Sequence, residues 1–210
     1  MPNPLLVEEG LPAFDAIRPE HAEPALRTRL DDNRRRLREL LASPKQTFST
    51  LVEPVETLQH RLNRTWSPVS HLNGVMNSEP LRAAYNACLP LLSEYQTEIG
   101  QNEALRQAYQ RILDGESAVL DAAQRKLLEN ALRDFRLAGV ALDDERKARF
   151  KALMQKLARE QAKFEENVLD SANAWSRAVT DVGELRGIPA AVVEHAAALA
   201  REKGVGGWLF

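Results

Sequence analysis

The 210-residue chain has one cysteine, four isoleucines and only 6% aromatic residues, and it lacks any long apolar run. A single thiol, Cys88, excludes an internal disulfide and any cysteine-rich zinc module. It suits a reducing, cytoplasmic compartment. The most apolar stretch, 189–200, is interrupted by Glu194 and His195, well short of the ~20 residues that span a bilayer. The first residues carry neither the basic nor the long apolar region of a signal peptide. Charge of one sign is missing too. The 28 Lys+Arg residues face 30 Asp+Glu, a formal net charge of −2, so neither nucleic acid nor an anionic membrane is expected as the main partner. No H-E-x-x-H, G-x-S-x-G, phosphate-binding glycine loop or calcium-loop pattern occurs.

What is present favours helix. There are 29 Ala and 30 Leu against 13 Val, and alanine and leucine are strong helix formers. An all-α fold is expected. Residues 1–18, with Pro2, Pro4, Gly10 and Pro12, are expected to form an extended arm that docks through Leu5, Leu6, Leu11, Phe14 and Ile17. A helical lobe over 19–203 follows. Pro19 fits a first helical turn and Ser43-Pro44 ends that helix near Ala42. Thr50 and Glu53 have capping-box spacing ahead of the stripe Leu51, Val55, Leu58, Leu62, Trp66. Ser67-Pro68 is expected to kink or break that helix, and Pro90 to distort the next one, which Gly100 closes. Asp121 and Gln124 form another box. Phe150, Leu153, Leu157, Gln161, Phe164, Val168, Ala172, Trp175 and Val179 recur every 3.6 residues. They predict one very long central helix over 143–180, roughly 55 Å, buried as the spine of the lobe. Residues 189–203 give a last helix. Residues 204–210 read as the start of a strand without a ladder partner, as if the chain were cut there. The apolar Trp208, Leu209 and Phe210 would then be poorly ordered or drive self-association.

Few residues suggest chemistry. Of His21, His60, His71 and His195, only His60 and His71 are nearly in phase on a helix, eleven apart, but Pro68 lies between them and independent, locally bonded histidines are the simpler reading. Cys88 sits in an apolar stripe, as an inert buried thiol would. Arg27, Arg29, Arg34, Arg35, Arg36 and Arg38 could face phosphate, but Asp31, Asp32 and Glu39 lie among them, and a solvated, locally neutralised face is the simpler reading. The segment 66–78 differs. It gathers His71, Asn73 and Asn77 with three serines around the expected break, either to satisfy freed backbone groups or to wall a ligand cavity.

Several stretches, taken in order, resemble one family. They include Ser67 to Asn73, Leu89 to Tyr95, Asn130 to Phe135 with Gly139, and Asn167 to Asp170 followed by Trp175. Together they resemble the N-terminal region of the thimet oligopeptidase family of zinc metallopeptidases. That resemblance implies a helical lobe beside a deep channel, with short peptides as substrates of the full-length enzyme and zinc as its cofactor. It also implies a missing catalytic lobe as partner. No position here matches a zinc ligand or the catalytic glutamate, so no catalytic or metal residue is assigned, and the segment alone is expected to be inactive. His71, Asn73 and Asn77 become candidate channel-wall residues. A free-standing helical binding module without catalysis is the alternative.

Overall fold

The computed structural model describes residues 3–210; Met1 and the arm's Pro2 lie outside the described residues. Among the described residues seven α-helices form: α1 (Pro19–Ala42), α2 (Glu53–Val75), α3 (Glu79–Gly100), α4 (Glu103–Gly115), α5 (Ala122–Leu137), α6 (Asp144–Ala174) and α7 (Ala190–Glu202). The fold is all-α, with one two-stranded sheet of β1 (Ala178–Val179) and β2 (Trp208–Leu209). The chain packs as two compact units, Met1–Glu160 and Gln161–Phe210, and the division falls within α6.

In the first unit α1 packs on α2 and α3, and α4 on α5. The expected arm is not wholly extended: Pro4–Leu6 and Phe14–Ala16 form single 3-10 turns. Asn3 caps the first of them, accepting from the Leu5 amide at 3.0 Å while its Nδ2 donates to the His21 carbonyl at 2.8 Å. Leu26, Leu30, Leu37 and Leu40 bring one face of α1 inward at helical spacing. They feed two apolar clusters. One gathers the arm with α1, α2 and α3 through Leu5, Ile17, Leu26, Leu62, Val69 and Leu92. The other joins the end of α1 to α4 and α5 through Leu51, Leu58, Leu105, Ile112, Leu128 and Phe135. Ile99 touches both.

Several local expectations are corrected. Pro68 neither ends nor breaks its helix, because α2 runs unbroken to Val75. A proline removes one hydrogen bond, at a cost of about 3 kcal/mol. Here Pro68 and Val69 are both buried, and their burial offsets that loss. Pro90 lies inside α3, where it was expected, and the helix is continuous through it. The capping box is formed by Thr47 and Thr50, three residues upstream of the expected pair, because a π-helical turn over Phe48–Val52 precedes α2. Gly100 is the last residue of α3, and its role is space: a Cβ there would sit 2.7 Å from the Ala138 Cβ. The box at Asp121 and Gln124 forms as expected, with bonds of 2.8 and 3.0 Å.

The largest correction concerns α6. Its apolar stripe is not a buried spine: Leu157 is 47% and Phe164 69% exposed, Leu153 and Val168 are also exposed, and Trp175, just past the helix end, is 66% exposed. The sheltered side lies roughly 130° round the helix, running through Lys151, Gln155, Ala158, Ala162, Glu166 and Leu169, with only Ala162 fully buried. Lys151 anchors that side by an ion pair to Glu94 of α3 at 2.5 Å. Periodicity identifies the apolar side of a helix. It does not supply the neighbour that covers it.

In the second unit the chain leaves α6 at Ala174 and turns into β1, six residues before the expected end of the helix. The strand expected to lack a partner has one: Val179 pairs with Trp208 and Ala178 with Leu209, antiparallel. The ladder is extended by Arg177 and Phe210, which exchange backbone bonds of 2.7 and 2.9 Å. Gly207, at φ +81°, is required there, since a Cβ would lie 2.2 Å from the Val179 carbonyl oxygen. α7 packs on β2 and buries Ala196 and Ala200.

Candidate functional site

The polar cluster singled out in the sequence lies at the junction of α2 and α3. The last turn of α2 closes with the Met76 amide donating to the Leu72 carbonyl at 2.8 Å. Asn73 and Asn77 come together, as residues four apart at a helix end do. The Asn77 Nδ2 donates to the Asn73 carbonyl at 2.9 Å and to its Oδ1 at 3.0 Å. From α3 the Arg82 guanidinium donates to the Asn77 Oδ1 through Nε at 3.2 Å and Nη2 at 2.9 Å. These bonds stitch the two helices and satisfy the Asn77 amide. His71 is not part of that net. It is exposed, and its ring meets the edge of Phe14 from the arm, with centroids 5.6 Å apart.

Among the described residues no three His, Cys, Asp or Glu side chains are placed to hold a metal ion. The His21 Nδ1 is engaged, accepting from the Arg18 amide at 3.1 Å. Cys88 is fully buried, and burial pushes its thiol up to about 11, so the nucleophilic thiolate is suppressed. Five of the six arginines of α1 are answered by carboxylates: Arg27 by Glu23, Arg29 by Glu8, Arg34 by Glu98, Arg35 by Asp32 and Arg36 by Glu39.

Sequence reasoning missed two arrangements. Glu8, in the arm, accepts from Arg61 and from Arg29 (3.0 Å), and Arg61 first, then Arg29, hold its carboxyl below the usual range. Arg64 adds bonds to the Val7 and Gly10 carbonyls, so the arm is strapped onto α1 and α2. The second is Asn33, which sits fully buried in the leucine stripe of α1. Its Nδ2 donates to the Leu58 carbonyl and the Tyr95 hydroxyl, each at 3.3 Å, while its Oδ1 has no partner. A polar residue at a leucine-spaced position was the available signal.

A profile of the Neurolysin/Thimet oligopeptidase N-terminal domain matches residues 26–147, more than half of the chain and most of its first unit. The chain belongs to that family. Relatives extend the match from end to end. Oligopeptidase A of Haemophilus influenzae is 41% identical and that of Escherichia coli 42%, each over 100% of this chain and 31% of the relative. An organellar oligopeptidase A of Arabidopsis thaliana is 33% identical over 96% of the chain and 26% of the relative. This family member thus spans about a third of the length of the curated relatives it matches.

Proposed function

We propose that the chain forms the helical N-terminal lobe of an oligopeptidase A-like zinc metalloendopeptidase that hydrolyses short peptides in the cytoplasm. The end-to-end match to about a third of oligopeptidase A carries this reading. Zinc does not fit the residues of this segment. His21, His60, His71 and His195 are dispersed, and no acidic side chain joins any of them in a three-ligand group among the described residues. On this reading the metal and the general base belong to the catalytic lobe, and this segment supplies walls and packing surfaces. His71, Asn73 and Asn77 contribute to the channel wall that limits substrate size, with the net of Asn73, Asn77 and Arg82 keeping that wall rigid. The exposed apolar side of α6 is the seat of the remaining polypeptide.

The test is the reading frame beyond Phe210, together with zinc analysis of the purified 210 residues. An in-frame H-E-x-x-H, and no zinc retained by the segment after dialysis, are the expected results. An immediate stop codon would replace this reading with that of a free-standing helical binding module. One zinc per 210-residue chain would overturn the assignment of the metal to another lobe.

A further inference from the structure

A cavity of about 460 Å³ opens where the arm enters α1 and α2 turns into α3. That volume lies within the range of small-ligand sites. Most of its lining is apolar: Phe14 and Ile17 from the arm, Leu72 and Met76 from the end of α2, and Leu81 from α3. Two charged residues of the arm also line it, Asp15 and Arg18. Arg18 is held in place, its Nη1 donating to the Asp15 carbonyl at 2.6 Å and to the Ile17 carbonyl at 2.9 Å. Its Nε and Nη2 keep their donors free, and the Asp15 carboxylate has no partner among the described residues. One negative and one positive group, three residues apart and unanswered by the protein, thus flank an apolar floor.

A ligand that answers both charges is a zwitterion with a bulky apolar body. We propose that this cavity binds a short unblocked peptide of two or three residues, its ammonium at Asp15 and its carboxylate at Arg18. A large apolar side chain lies among Phe14, Leu72, Met76 and Leu81. The binding is a property of these 210 residues and needs no hydrolysis, so it stands or falls apart from the peptidase reading.

Calorimetric titration of the 210-residue chain with Leu-Phe, acetyl-Leu-Phe and Leu-Phe amide tests it. Leu-Phe is expected to bind saturably, and blocking either end to weaken binding roughly fivefold, as for a partly exposed charge pair. Asp15→Asn should erase the effect of acetylation only, and Arg18→Gln that of amidation only. Met76→Lys, at a position 70% exposed, should weaken all three ligands without lowering the melting temperature. Absence of saturation up to about 10 mM, or equal affinity of the blocked and unblocked peptides for the unaltered chain, would overturn the site. The latter comparison requires no variant to fold. Phenylalanine binding as tightly as Leu-Phe would overturn the assignment to peptides.

Discussion

A β-carbon at residue 100 would have to share space with the Cβ of Ala138, 2.7 Å away. Both atoms belong to backbone-fixed positions, so neither can swing aside as a long side chain would. Gly100→Ala is expected to cost about 1–3 kcal/mol, the usual range for overpacking, read as a lower urea midpoint at unchanged slope. Glu8 makes a different prediction. Its folded-state pKa lies below the ordinary value of 4.5, chiefly through Arg61 and then Arg29. A depressed carboxyl stabilises the fold above its unfolded pKa, and that contribution is lost as pH falls through the lowered folded value. The arm should therefore become more open to pepsin as pH drops below about 4, and Glu8→Gln should remove that dependence. A pH profile of cleavage within 3–18 that is identical in the two proteins would refute the strap.

At the scale of elements, the exposed and sheltered sides of α6 predict opposite costs for similar truncations. Leu157→Ala and Phe164→Ala should each change the stability of this chain by no more than about 0.5 kcal/mol. Leu51→Ala, at a position with no exposure, should cost about 2–5 kcal/mol; denaturant titration of the three variants checks the contrast. The same helix shows what was legible beforehand. Where a boundary depends on local chemistry, the sequence marks it. Pro19 and Ser43-Pro44 bracket α1, and Asp121 with Gln124 opens α5. Where tertiary packing overrides local chemistry, it does not: Pro68 stays inside α2 because its neighbourhood is buried. The candidate site divides in the same way. Asn73 and Asn77 are four apart and meet, whereas His71 finds Phe14, 57 positions away, which no spacing rule foretells. The cavity is illegible for that reason too, since Asp15 and Arg18 share it with Leu72 and Met76.

For the molecule as a whole, exposed Leu153, Leu157, Phe164 and Val168 on α6, with exposed Trp175 just past its end, make an apolar stripe of the kind that marks an interaction surface. The isolated 210-residue chain should self-associate with concentration, and a Leu157→Lys, Val168→Lys double variant should remain monomeric by sedimentation. Equal sedimentation of both forms at high concentration would show that the stripe has no appetite for cover. A separate consequence follows from the two apolar clusters that meet at Ile99. They also share α1 and α2, but α4 and α5 contribute to one of them alone, so that cluster is expected to open locally while the other persists. Leu128→Ala, at the heart of the α4–α5 cluster, should speed amide hydrogen exchange throughout α4 and α5. It should leave the arm and the start of α3 protected almost as before. A uniform acceleration would mean that the shared helices and Ile99 transmit everything, and that the pair melts as one body.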